Sequence, residues 1–204
     1  FHSFGGFSPS PSLLCAALAR ETSHIHVRSS VVLPIHHPVR VAEEWAMIDN
    51  LSHGRAGIAF ASGWHPNDFI FYPDNWHHKK EFMFDAISRI QELWRGNQIT
   101  CQGGLPDPVD IRIFPQPMQN TVPIWITSLG NPDIFKKAGT IGANIMTNMI
   151  GQDITQLKDN IAIYRIARQN AGFDPETGKI SILLHTLIGE DYDDTLEKAK
   201  RPFC

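Results

Sequence analysis

Residues 31–65, VVLPIHHPVRVAEEWAMIDNLSHGRAGIAFASGWH, constrain the fold more than any other stretch of the chain. An apolar run, an amphipathic segment and a second apolar run follow one another, each closed by small or polar residues, which is the pattern of strand, helix and strand. The first run, Val31, Val32 and Leu33, meets Pro34, which has no N–H to give a central ladder and so marks the strand's carboxyl end. Pro38 suits a first helical position, and Val41, Trp45 and Ile48 recur at i, i+4 and i+7, so one helix face can cover a sheet. Gly54 supplies the stop, and Ile58, Ala59, Phe60 and Ala61 form the returning strand. The stretch is therefore expected to be a βαβ unit, with Ser62, Gly63, Trp64 and His65 directly after its second strand.

The rest of the chain repeats this rhythm. Residues 1–12 are rich in Gly, Pro and Ser and read as a loop, residues 13–21 as a helix, and residues 25–33 as the strand that enters the βαβ unit. Met83, Ile87, Ile90 and Trp94 give a further covering helix that Gly96 ends. Residues 97–122 break the pattern with two adjacent glycines, several prolines and an alternation from Val109 to Ile113, and read as an excursion containing a small hairpin. A strand over residues 122–127 follows. Asn131 and Pro132 open a short helix ending near Gly139, and residues 143–147 form the next strand. Asp153 with Gln156 makes a capping box for a helix whose face is Ile154, Leu157, Ile161 and Tyr164, closed by Gly172. Residues 180–188 read as a strand, and residues 191–200 as a helix with acid first and base later, as its dipole prefers. Alternating strands and covering helices imply a parallel sheet wrapped in helices. Five such units fall short of a complete (β/α)₈ barrel, which takes about 250 residues; a doubly wound open sheet would also fit the count.

Composition narrows the function classes. The chain has 204 residues, 42% hydrophobic and 19% charged, with net charge −3, which suits a globular domain with a substantial core. No block of Lys and Arg gives a nucleic-acid footprint, and no apolar run reaches membrane-spanning length, so a cytoplasmic protein is the default expectation. Cys15, Cys101 and Cys204 are far apart without CxxC spacing and read as free thiols. The paired histidines His24/His26, His36/His37 and His77/His78 lack a carboxylate at a ligand-like offset, so no metal site is expected. Glu43 and Glu44 sit inside the amphipathic helix beside Arg40 and read as a solvated, salt-bridged face rather than an acid–base pair.

In a barrel of parallel strands the functional face lies at the carboxyl ends. Two such ends stand out. Thr127, Ser128, Leu129, Gly130 and Asn131 combine hydroxyls, a glycine and the cap of a following helix, a pattern that can meet an anion with backbone N–H groups. The same pattern also fits an ordinary strand-to-helix turn in which Asn131 does no more than cap. At the other end, Gly63 permits close approach, Trp64 offers a flat surface, and His65 can donate hydrogen bonds or carry a proton near neutral pH.

LPIHHPVRVAEEWAMIDNLSHGR followed by FASGWHPNDF resembles the bacterial luciferase-like, flavin-dependent monooxygenases, and the GWHP variant is most similar to the mupirocin-type branch found in polyketide and nonribosomal peptide assembly lines. The resemblance implies a (β/α)₈ TIM barrel that is incomplete here, with about strands 3 to 7 present and residues 31–65 running from the third to the fourth. It implies one domain over residues 1–204, truncated at both ends, with residues 97–121 as an inserted excursion. It further implies a monooxygenase using reduced FMN and O2 on an organic substrate that can be tethered to a carrier protein. A separate flavin reductase would supply the cofactor, because the chain has no GxGxxG signature.

By the same resemblance Ser128 and its neighbours Thr127, Leu129, Gly130 and Asn131 receive the flavin phosphate. Ser62, Gly63 and Trp64, with Leu33 and Pro34 beside them, contact the flavin. Some members carry an arginine where this chain has Ser62, which throws more of the phosphate binding onto the helix N-terminus. His65 and His2 are the catalytic candidates, while the family's usual active-site histidine falls just before Phe1. Two other readings stay open: a catalytically silent, shortened flavin-binding barrel, and a deazaflavin-dependent relative that transfers hydride. Exposed barrel edges are expected to make copies of the chain associate.

Overall fold

The sheet grows outward from the expected βαβ unit. The computed structural model describes residues 10–200, so His2 and the loop expected over its first residues lie outside the described part. After α1 (Pro11–Glu21), β1 (Val27–Val32) pairs in parallel with β2 (Ala56–Ala61) in a six-residue register from Val27↔Ala56 to Val32↔Ala61. Between them runs α2 (Pro38–Leu51), with Pro38 in its first turn and Val41, Trp45 and Ile48 buried as the periodicity requires. α3 (Lys79–Trp94) buries Met83, Ile87, Ile90 and Trp94 in the same way. A hairpin of β3 (Ile99–Gln102) and β4 (Pro108–Ile111) then stands apart, antiparallel, within the excursion.

The parallel sheet resumes with β5 (Ile124–Thr127), α4 (Pro132–Thr140), β6 (Asn144–Asn148), α5 (Ile154–Asn170) and β7 (Ile180–Leu183), and α6 (Tyr192–Lys200) follows. The strand order is β1, β2, β5, β6, β7, all parallel. The sheet is a partial barrel, its helices layered on one side.

Three expectations need correction. The strand expected over residues 180–188 ends at Leu183, because its partner β6 ends at the Asn148↔Leu183 pair and nothing prolongs the ladder beyond it. Ile154 is exposed: it occupies the first position of α5, whose buried face starts one turn later with Leu157, Asn160 and Tyr164. Ile113 is not part of the hairpin but is buried in the main core.

The two faces of the sheet differ. Toward the helices lie Val31, Ile58, Phe60, Ile124, Ile126 and Ile145, all in the main core. The opposite, inner face carries a small separate cluster of Ala59, Trp125 and Met146. On that face the middle strand β2 presents little bulk, so side chains of β1 and β5 meet across it. The Arg28 guanidinium lies 4.1 Å from the Trp125 ring centre, and Ser30 Oγ and Thr127 Oγ1 are 3.5 Å apart. A Cβ on Gly57 would come within 3.0 Å of the Trp125 ring, so a larger residue there would have to displace the indole.

The excursion returns to the body through polar anchors on α2 and α3. Asp49, fully buried, accepts hydrogen bonds from the amides of Met118 (2.8 Å) and Gln119 (2.9 Å) and from Gln119 Nε2 (2.7 Å). Trp94 Nε1 donates to the Gln119 carbonyl at 2.8 Å. α3 and α4 nevertheless stand apart, with a cleft of about 410 Å³ between the end of α3, the start of β5, the turn before β6 and Phe173. The ammonium of Lys137 bridges these helices, 5.0 Å from the Phe84 ring centre. No helix among the described residues is long and apolar enough to cross a membrane.

Candidate active site

The parallel registers place three chain segments side by side at the carboxyl ends of β1, β2 and β5. β1 pairs with β2 up to Val32↔Ala61, and β2 with β5 up to Phe60↔Ile126, so Leu33, Ser62 and Ser128 follow in adjacent strands. The segments at 62–65 and 127–131, both singled out from sequence, are therefore neighbours. Gly189 and Glu190, which follow the strand expected over residues 180–188, are not with them: they lie in exposed chain beyond the early end of β7.

The β1 end supports the mouth more than it lines it. Leu33 is fully buried in the core on the helix side, and buried Pro34 uses its carbonyl to accept from Asn75 Nδ2 at 2.7 Å. Gly63 has φ of +84°, and a Cβ there would sit 2.9 Å from both Phe69 and Val32, so glycine lets the loop after β2 close onto β1. Phe69 in turn packs edge-on to Trp76, whose ring carries the Lys79 ammonium 3.2 Å from its centre. This packing leaves Trp64 presented outward, 55% exposed, with its ring edge-on to His65 at 5.3 Å. His65 caps the short 3₁₀ turn Pro66–Phe71, its Nδ1 accepting from the Asn67 amide at 3.3 Å. A neutral imidazole with Nδ1 as acceptor carries its proton on Nε2.

The loop after β5 is the more polar element. Asn131 Oδ1 accepts from the amides of Asp133 (2.9 Å) and Ile134 (3.4 Å), and Pro132 has no N–H, so the first turn of α4 is already satisfied by its own cap. An anion at this place would meet the loop amides instead. Those of Leu129, Gly130 and Asn131 have no acceptor within the described residues. Gly130 adopts φ of +108°, which few other residues tolerate. Ser128 is buried with its Oγ 3.5 Å from the Asn131 carbonyl, Thr127 is half-buried and Leu129 is exposed. Neither 62–65 nor 127–131 contains a lysine or arginine, so an anion here would be held by dipoles rather than by a counter-charge within these segments.

Beneath this loop lies a set of polar residues that sequence reading passed over. Thr147 Oγ1 donates to the Ser128 carbonyl at 2.7 Å, Gln152 Nε2 donates to Thr147 Oγ1 at 2.7 Å, and Asn160 Nδ2 donates to the Gly130 carbonyl at 3.1 Å. The available signal was phase: Asn160 falls between Leu157 and Tyr164 on the buried face of α5, where a polar side chain needs a reason to be.

His36 sits just before α2, and Arg40 pairs with both Glu43 (3.2 Å) and Glu44 (3.7 Å) on the outer face. Burial holds the His36 imidazole below its ordinary pKa, with Glu44 opposing part of that shift. A base whose folded pKa is depressed contributes stability that is present above the unfolded value of about 6.5 and lost as pH falls through the folded value. Chemical-denaturation midpoints should therefore drop on acidification below about pH 6.5, and His36→Gln should flatten that drop; an unchanged slope in the variant would rule His36 out as its source.

The chain is 27% identical over 192 residues to the oxygenase component of the flavin-dependent trigonelline monooxygenase of Acinetobacter baylyi, covering 92% of this chain and 52% of that protein. It is likewise 27% identical over 190 residues to the F420-dependent hydroxymycolic acid dehydrogenase of Mycobacterium tuberculosis, covering 91% of this chain and 51% of that one. The chain thus spans about half the length of these relatives. Its fold superimposes on the crystal structure of the monooxygenase RslO1 from Streptomyces bottropensis with a TM-score of 0.85 at 23% identity, over 98% of this chain and 62% of that one. The description luciferase-like monooxygenase matches residues 1–204 from end to end, and the chain belongs to that family.

Proposed function

We propose that this chain forms the flavin-binding part of a monooxygenase that uses reduced FMN and O2 to oxygenate an organic substrate. The observation that carries the reading is the convergence of an outward-facing indole, Trp64, with a loop whose amides at Leu129, Gly130 and Asn131 are uncommitted within the described residues. A planar ring and a phosphate are the two ends of FMN, and the site offers a surface for one and dipoles for the other. The fit is chemical: a glycine with positive φ and a hydroxyl at Ser128.

Bound reduced flavin would supply the electrons that activate oxygen. The chain's residues would bind and orient it. Thr127, Ser128, Leu129, Gly130 and Asn131 take the phosphate, while Ser62, Gly63 and Trp64 flank the ring system. Leu33 and Pro34 form the wall behind them. His65, whose Nδ1 accepts from the Asn67 amide, has Nε2–H left to donate a hydrogen bond to a reacting oxygen. A relative described as an oxygenase component supports a reductase acting separately. The GWHP segment supports a substrate carried on an assembly-line carrier protein, in a cytoplasmic enzyme that associates with copies of itself.

The F420-dependent relative at equal identity favours a second reading, a deazaflavin-dependent oxidoreductase. Anaerobic equilibrium dialysis against photoreduced FMN and, separately, reduced F420 decides between them. FMN should be retained more tightly, and Trp64→Ala should weaken it by roughly tenfold, as loss of one aromatic stacking surface does. Preferential retention of F420 would overturn the FMN assignment.

A further inference from the structure

We infer that Thr147, Gln152 and Asn160 are positioning residues that set the phosphate specificity of the loop after β5, an inference that rests on the flavin reading above. All three side chains are buried, at 1%, 6% and 5% exposure. Polar groups in such a place are destabilising unless hydrogen-bonded, and a role in packing alone would be met by apolar residues of the same size.

Every N–H and O–H of these side chains is used. Gln152 Nε2 gives its two protons to Thr147 Oγ1 (2.7 Å) and the Asn148 carbonyl (2.8 Å). Asn160 Nδ2 gives its two to Gln152 Oε1 (3.2 Å) and the Gly130 carbonyl (3.1 Å). Thr147 Oγ1, accepting from Gln152, passes its own proton to the Ser128 carbonyl (2.7 Å). The network therefore ends on two carbonyls of the loop and on no other part of it.

Those two ends fix the direction of the loop's amides. In a trans peptide the carbonyl and the next N–H point opposite ways. Drawing the Ser128 carbonyl toward β6 turns the Leu129 N–H away from it, and drawing the Gly130 carbonyl toward α5 does the same for the Asn131 N–H. The loop is also seated directly on the network: a Cβ on Gly130 would lie 3.0 Å from Gln152 Cβ. Both outward amides are thus held in place before any ligand arrives, which is the arrangement that makes dipoles effective on an anion.

The test is the ratio of affinities for FMN and riboflavin, which differ by the phosphate, read from flavin fluorescence on this chain and its variants. The parent should prefer FMN. Thr147→Val, which keeps shape but removes the hydroxyl, should lower that preference about tenfold, as outer-shell partners do at metal sites, while riboflavin affinity stays within error. Thr147→Ser should restore it. Asn160→Asp, which turns an acceptor toward two acceptors, should act like Thr147→Val and serves if the latter does not fold. A parent that prefers FMN with variants of unchanged ratio overturns the inference and leaves the flavin reading standing. Parallel loss of both ligands marks a purely structural role and also overturns it. A parent without preference removes the flavin-phosphate reading itself, and the inference with it.

Discussion

Replacing Asp49 with alanine should destabilise the chain by about 2–4 kcal/mol, among the largest effects of any single polar substitution in it. The carboxylate is fully buried and gathers three donors, the amides of Met118 and Gln119 and the Gln119 side chain, at 2.7 to 2.9 Å. Removing it strands those donors and leaves a void where a hydrogen-bonded carboxyl group had been accommodated. The lower end of the range allows for water, since Met118 and Gln119 are partly exposed and can recover some bonding from solvent. Asp49→Asn keeps the shape and one acceptor but sets an N–H against N–H groups, so it should cost about half as much. Urea midpoints measure the loss. Limited proteolysis should show new cleavage within residues 97–121, because the side chain ties that excursion to α2. A variant as stable as the parent, with the same cleavage pattern, would mean that Trp94 and the hairpin hold the excursion without it.

The second large effect is a contest between two opposite terms at Gly139. Helix propensity alone favours Gly139→Ala by about 1 kcal/mol, since glycine is a poor helix former. Packing opposes it. A Cβ at this position of α4 would sit 2.5 Å from the Tyr164 carbonyl, 2.9 Å from Ala167 Cβ and 3.1 Å from the Arg168 amide, all on α5. Two of those three atoms are backbone and cannot rotate aside, so the helices must separate. Overpacking of this kind costs about 1–3 kcal/mol and outweighs the propensity gain. The alanine variant should melt lower than the parent and Gly139→Val lower still. A rise in melting temperature for the alanine variant would mean that α4 and α5 can part without loss.

The covering helices were legible because each repeats its apolar residues at helical spacing and carries its own stop. Trp45 on α2, Ile87 on α3 and the Asp153–Gln156 box on α5 all stand where the pattern put them. The hairpin in the excursion was legible from its alternation and turn residues. The end of β7 was not, because Leu184, Leu187 and Ile188 have strand-like composition and the ladder's length is decided by β6, a non-local partner. Asp49 and Asn160 were missed for a common reason. A polar residue at a core phase of a helix looks like noise in the apolar pattern, and its partners lie 69 and 30 residues away in sequence. At the mouth, sequence located both strand ends but could not separate Leu33, which faces the core, from Trp64, which faces outward.

The cleft between α3 and α4 has a thermodynamic consequence. The helices before it lean on β1 and β2, those after it on β5, β6 and β7, and the two groups meet in the sheet at the β2–β5 junction, Ile58↔Ile124 to Phe60↔Ile126. Ser62 to His65 follow one side of that junction and Thr127 to Asn131 the other, so the mouth straddles it. A molecule bound there is a rivet through both sides, and its binding free energy adds to their cohesion.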